Sequence, residues 1–301
     1  MSQKIVEING KRLQLTNLEK ELYPAYGFTK AHILEYYRKI SVFMLPHLKD
    51  RALTLKRYPE GVDKEFFFEK HCPSHRPDWA KTAVLRKDDG EKMTVCLVNN
   101  LETLMWVENL ASIELHVPMA KTSSPESADV VVFDLDPGEP ANIIDCCKAA
   151  FILRDLLSNL GLKSYPKTSG KKGLHLFVPL NRKETTFDDT KKFSKAVAEI
   201  TQKNYPDLVT SKMAKEFRKG KVFINWSQND SSKTMVCAYS LRAADKPTVS
   251  FPYDWKELER LAEKGDPEKL QVTHSGAVSR TGKKGDLFLE VLTKKQKLSN
   301  L

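Results

Sequence analysis

Apolar positions along the chain fall into two repeating patterns. Spacings of three and four predict helices at about 30–46, 101–115, 140–160 and 188–204; alternating or continuous apolar runs predict strands at about 52–58, 129–135, 174–180, 221–227 and 234–241. Thr16 and Glu19 in "LTNLEKELYP" have the spacing of a capping box and predict a short helix there. The segment 59–97, with "FFFEKHCPSHRPDW", reads as loop-rich, and the tail from about 273, "THSGAVSRTGKKGD", as partly flexible. Because several strands adjoin through short turns while helices interleave irregularly, the expected fold is α/β (α+β), with a mixed or antiparallel central sheet flanked by helices. No linker, repeat or low-complexity tract divides the chain, so 1–301 is read as one domain: an N-terminal part to about 125, a core over about 126–272 and the tail.

Composition narrows the class. At 41% hydrophobic the 301 residues can bury a core, and neither an apolar run long enough to span a bilayer nor a signal-peptide pattern is visible, so a cytoplasmic protein is expected. A net charge of +10 favours a polyanionic partner such as nucleic acid. Five cysteines (72, 96, 146, 147 and 237) in irregular spacing are expected to be reduced and mostly buried; "HCPSH" (His71, Cys72, His75) lacks a second ligand pair at zinc-finger spacing.

The chemistry concentrates in a few stretches. In "VVVFDLDPGE" a strand pattern puts Asp134 and Asp136 on one face, about 7 Å apart, with Val131, Phe133 and Leu135 on the other. Paired carboxylates repel unless solvent or a cation lies between them, so the stretch is either a hard-cation site or a strand running into an acidic turn. In "KTSGKKGLHLFVPL", Ser169, Gly170 and Gly173 allow backbone amides to approach an anion, Lys171 and Lys172 add charge, and His175 falls within the strand. The turn lacks the Walker spacing. "GKVFINWSQND" carries the polar Asn225 in mid-strand, "MVCAYSLRA" ends at Arg242, and "LTLKRYP" ends on Lys56 and Arg57.

In this order, "LTNLEKELYP", "LTLKRYP", "FFFEK", "ELHVP", "VFDLDPG", "PKTSGKKGLHLFVPL", "GKVFINWSQN" and "YSLRA" resemble the polymerase domain of bacterial ligase D and its stand-alone archaeal relatives, in the archaeo-eukaryotic primase superfamily. The resemblance covers nearly the whole chain. It implies a template-dependent nucleotidyltransferase that fills short gaps at double-strand breaks in end joining and prefers ribonucleotides. Asp134 and Asp136 would bind two Mn2+ or Mg2+ ions; Ser169, Lys172 and His175 would meet the nucleotide phosphates, with Lys56, His116 and Arg242 also contacting the nucleotide (NTP or dNTP). Asn17, Lys20 and Lys30 would grip the downstream 5′-phosphate, and Phe66, Phe67 and Phe68 would stack on or wedge the template. DNA ends and gaps, a separate DNA ligase and a Ku-like protein are the implied partners, with no membrane, in the nucleoid-bearing cytoplasm.

One position departs from the family. Where it carries a third metal carboxylate, this chain has Asn225, an amide with no charge. That substitution predicts sharply reduced catalysis with nucleotide and DNA binding largely kept. Two other readings follow: a catalytically silent module that binds DNA ends through the 5′-phosphate pocket, or a replicative primase subunit, which the Asn17, Lys20 and Lys30 set argues against.

Overall fold

The protein is described by a computed structural model covering residues 3–86 and 90–298. Its centre is a five-stranded sheet in the order Tyr165–Thr168, Leu174–Pro179, Val130–Pro137, Val222–Asn225, Val209–Thr210, antiparallel except for the last, parallel pair. The middle strand is buried from Val130 to Leu135, which explains a continuous apolar run in place of clean alternation. Ile143–Asn159 packs on this sheet through Cys146, Cys147, Ala149, Ala150, Leu153 and Leu157, at helical spacing, and Phe187–Asn204 packs beside it.

A second, antiparallel sheet runs Met235–Val236, Ser112–Val117, Thr54–Arg57, Phe67–Glu69. Its neighbours are the helices Lys30–Leu48 and Leu101–Asn109, which pack against each other. Tyr37 Oη donates to the Ile113 carbonyl at 2.8 Å and so ties the first helix to this sheet. The α/β architecture with an antiparallel-dominated sheet agrees with the sequence pattern.

Several local expectations are corrected. Thr16 ends the strand Lys11–Thr16 and caps no helix; Asn17 turns left-handed (φ 54°), and the chain continues into Glu21–Tyr23. The capping box lies instead at Thr29, whose side chain accepts from His32 N and whose own amide donates to His32 Nδ1. The helix from 101 stops at Asn109; left-handed Ala111 (φ 59°) leads into the strand Ser112–Val117. The apolar run of "SIELHV" had been absorbed into the helical pattern. Left-handed Tyr239 (φ 69°) divides 234–241 into Met235–Val236 and Leu241–Arg242, and strand Val222–Asn225 stops two residues short of the expected end.

The segment 59–97 is less open than its polarity suggests. It contributes Phe67–Glu69 and the hairpin Thr82–Arg86/Lys92–Cys96, and Cys72 is bonded to Cys96 in a disulfide, against the expectation of reduced cysteines. Sequence spacing carries no trace of this pairing, because Cys72 reaches the hairpin by a tertiary contact, its amide donating to the Thr94 carbonyl at 2.8 Å. Cys146, Cys147 and Cys237 are free and buried. The tail is also structured as far as 298, its last three residues lying outside the described ones: His274–Lys284 packs on the first long helix, Leu289–Thr293 packs on Leu174–Pro179, and the buried Gln296 amide bridges the Lys163 and Pro179 carbonyls. No helix among the described residues is long and apolar enough to cross a membrane.

Candidate functional site

The antiparallel register places the acidic and polar groups side by side. Asp134 is opposite His175 on one neighbouring strand and Asn225 on the other, while Asp136 is opposite Phe223. A cleft of about 340 Å³ opens over this row, lined by Asp134, Asp136, Ser169, Lys171, Lys172, His175, Gln228 and Arg242, with His116 from the second sheet. Residues more than 100 positions apart thus meet at one floor.

Asp134 is buried and amply hydrogen-bonded. Its Oδ1 lies 3.3 Å from His175 Nε2, and its Oδ2 accepts from Asn225 Nδ2 at 3.4 Å and Gln228 Nε2 at 3.3 Å. Burial opposes its charge, but the hydrogen bond and proximity of His175 prevail and hold it below the usual carboxylate range. Asp136 lacks such partners. Partial burial at the cleft floor, and then the charge of Asp134, push it up to about 7. Near neutrality it is therefore about half protonated, and a bound cation would favour the ionised form.

The donors suit one hard cation: two carboxylates and Gln228 Oε1, a buried carbonyl oxygen with no hydrogen-bond partner. They are short of a second site. Asn225 does not line the cleft, its Oδ1 accepts from Ser227 Oγ at 2.8 Å, and among the described residues no three His, Cys, Asp or Glu side chains cluster for a metal.

Beside the acidic pair stands an array of basic side chains on a single buried anion. Glu114 and His116 stand two apart on Ser112–Val117, hence on one face, and Lys56 is the register partner of Glu114. The Glu114 carboxylate is 3.0 Å from His116 Nε2, 3.3 Å from Arg242 Nε, 3.6 Å from Lys171 Nζ and 4.0 Å from Lys56 Nζ, and also accepts from the Ala243 amide. Despite complete burial, the cations depress its pKa. Burial lowers the pKa values of Lys56, Lys171 and His116. Sequence reading did not single out Glu114. The alternation in "SIELHV" holds the signal, but apolar spacing that continues the helical pattern to 115 masks it.

The glycine turn differs from the expected cradle. Ser169 Oγ accepts from the amides of Lys171 and Gly173, so those two donors are already engaged, and the Arg242 guanidinium donates to the Ser169 carbonyl at 2.6 Å. Gly170 (φ +75°) allows this approach: a Cβ there would lie 2.6 Å from Arg242 Cγ and 2.8 Å from the Val249 carbonyl carbon. At Gly173 a Cβ would lie 2.4 Å from the Leu135 carbonyl oxygen. Lys172 reaches outward to Glu139 at 2.9 Å, and His175 is buried, its pKa pushed down to about 4 by burial and then by Lys167.

Asn17, Lys20 and Lys30 meet in a second place. The Lys20 amide donates to the Asn17 carbonyl, and the Lys30 amide to the Lys20 carbonyl at 2.8 Å. Lys30 is buried, and burial, then Arg57 and Lys20, lower its pKa to about 8. This cluster is tied to the cleft by Tyr23, whose buried side chain donates to the Arg242 carbonyl at 2.9 Å. Phe66, Phe67 and Phe68 are 49%, 44% and 55% exposed. Lys56 Nζ sits 3.9 Å from the centre of the Phe66 ring, a cation–π contact linking the aromatic strand to the array.

Comparison with known proteins gives a consistent result. A family model described as LigD, primase-polymerase domain, matches residues 29–288. The multifunctional non-homologous end joining protein LigD of Mycolicibacterium smegmatis is 40% identical over 280 residues, covering 92% of this chain and 36% of that protein. The bifunctional LigD of Bacillus subtilis is 34% identical over 248 residues, covering 82% of this chain and 40% of its own length. The chain therefore spans little more than a third of these relatives. The solved polymerase domain of Mycobacterium tuberculosis ligase D in complex with DNA superposes with a TM-score of 0.86 at 38% identity, covering 95% of this chain and 99% of that one.

Proposed function

Since the chain belongs to the LigD primase-polymerase family, we propose that it is a template-dependent nucleotidyltransferase that extends a primer across short gaps at DNA breaks in end joining, preferring ribonucleotides. The reading is carried by one cleft, sized for a small ligand, that is lined both by Asp134 and Asp136 and by His116, Lys171 and Arg242, with Lys56 joined to these basic residues through Glu114. An incoming triphosphate would lie in this cleft, its oxygens replacing Glu114 as the counter-charge of the basic side chains. Ser169, Lys172 and His175 border the same cleft from the glycine turn. Attack by the primer 3′-oxygen on the α-phosphorus forms the new ester bond and expels pyrophosphate.

Asp134, Asp136 and the Gln228 carbonyl are the residues that would hold Mn2+ or Mg2+, which supplies acidity at the 3′-hydroxyl and charge neutralisation at the phosphates. With Asn225 in place of a carboxylate, the ion that would serve the 3′-hydroxyl would be the one weakened. Asn17, Lys20 and Lys30 form a basic cluster in which Lys20 is paired with Glu60 and which would suit a downstream 5′-phosphate, and the exposed Phe66 to Phe68 would offer faces for unpaired template bases. A DNA ligase and a Ku-like protein are the partners that the family resemblance implies, to seal a filled gap and to hold a broken end.

The Asn225 amide, donating to Asp134, favours one second reading, a silent binder of DNA ends. Extension of a labelled primer on a gap with a 5′-phosphate, using Mn2+ and ribonucleotides, separates the two. The Asn225→Asp form is expected to extend the primer at least tenfold faster than the present chain. Silence of both forms, with gap binding intact, would leave the binder.

A further inference from the structure

Lys167, on the strand Tyr165–Thr168, has no exposed surface, and the chemistry above does not use it. It is the register partner of His175, and its Nζ lies 2.8 Å from His175 Nδ1 and 2.6 Å from Ser250 Oγ. The protons in this cluster can be followed from its ends inward. Ser250 Oγ is 2.9 Å from the Thr168 carbonyl, which only accepts, so the hydroxyl proton goes there and the hydroxyl oxygen accepts from Lys167. At the other end, His175 Nε2 faces Asp134 Oδ1 at 3.3 Å. A carboxylate oxygen also only accepts, so Nε2 carries the proton. An imidazolium could place its second N–H only against a Lys167 that had itself given up a proton, whereas a neutral ring, which burial favours, leaves Nδ1 bare and in need of a donor, and Lys167 donates as ammonium or as amine.

We propose that Lys167 is a positioning residue, which fixes His175 as the Nε2–H tautomer and so makes it a permanent hydrogen-bond donor to Asp134. The proposal rests on the reading of Asp134 as a metal ligand. Lys167 holds His175, and His175 holds one oxygen of Asp134 while Gln228 and Asn225 hold the other, so the carboxylate meets a cation in a fixed orientation. His175 with its proton on Nε2 cannot act as a base towards the cleft; it donates only.

The test uses 15N-histidine-labelled protein without metal, nucleotide or DNA, with His175 assigned by its absence from His175→Gln. The unmodified protein is expected to show the Nε2–H pattern, and an Nδ1–H pattern would overturn the proposal without recourse to a Lys167 variant. In Lys167→Met, which keeps length and apolar fit but cannot donate, the pure Nε2–H signature should be lost. The dissociation constant for Mn2+, read from free ion by electron paramagnetic resonance, should rise about tenfold, as supporting residues behind metal ligands typically require. An unchanged tautomer with unchanged Mn2+ affinity would overturn it. Neither readout needs turnover, so failure of primer extension by Asn225→Asp would count against the polymerase reading alone, and absence of Mn2+ binding by the unmodified protein against the metal reading.

Discussion

Two buried charged residues, Glu114 and Lys167, organise the site, and neither announces itself in sequence. Glu114 gathers four basic side chains within 4.0 Å, so its removal leaves a buried cation cluster with nothing to offset it. Breaking buried pairs in this way costs about 3–5 kcal/mol. Glu114→Gln is expected to lower the unfolding free energy by about that amount in urea titrations. Added nucleotide triphosphate should restore more stability to the variant than it gives the parent, because it is the alternative anion. Equal stability of the two proteins would show that the cations do not depend on Glu114. The shared face of Asp134 and Asp136 was legible because it follows from alternation along one strand, whereas Asn225, on a neighbouring strand, stood out only against the family that the chain resembles. Glu114 and Lys167 acquire theirs only from neighbours on other strands, which no local pattern specifies.

Elements behave the same way. The long helices at 30, 143 and 187 could be read from apolar spacing, since each buries a stripe on a sheet. Short strands, the disulfide and the tail helices could not, because their stability comes from tertiary partners, as when Gln296 clasps two distant carbonyls. The turn from Asn17 to Lys20, folded against the start of the first helix, illustrates the consequence for function. It was expected to be helical, yet its irregular backbone is what brings Lys20 and Lys30 together. Lys30, held at about 8, gives the pocket a pH dependence. Between pH 8 and 10.5 the unfolded chain binds more protons there than the folded one, so this group makes the protein more stable as pH rises. Phosphate binding favours the protonated form and therefore works the other way. The preference for a gap with a 5′-phosphate over one without is expected to shrink as pH is raised from 7 to 9 in fluorescence anisotropy, and a preference that stays flat would remove Lys30 from the pocket.

At the scale of the whole molecule, a charge of +10 and two basic clusters imply that DNA binding would be dominated by phosphate contacts. Each such contact on duplex DNA contributes about 0.9 to the slope of log affinity against log salt. Affinity for a phosphorylated gap should therefore fall steeply between low and physiological salt, and the slope should be shallower for the same gap without its 5′-phosphate. Identical slopes would mean that the Lys20 and Lys30 cluster touches no DNA. The overall architecture was legible because an antiparallel-dominated α/β sheet follows from the order of the elements, whereas the apposition of the two sheets across the cleft depends on which edges meet.

Tyr23 joins the two cationic sites through one hydrogen bond to the carbonyl of Arg242, between residues 219 positions apart, and its ring is wholly buried. A buried tyrosine of this kind is a strut. On the proposed reading it would set the distance from the downstream end of a broken strand to the place where the next nucleotide is laid, so that the span of missing sequence the protein could bridge would be a dimension of its own frame.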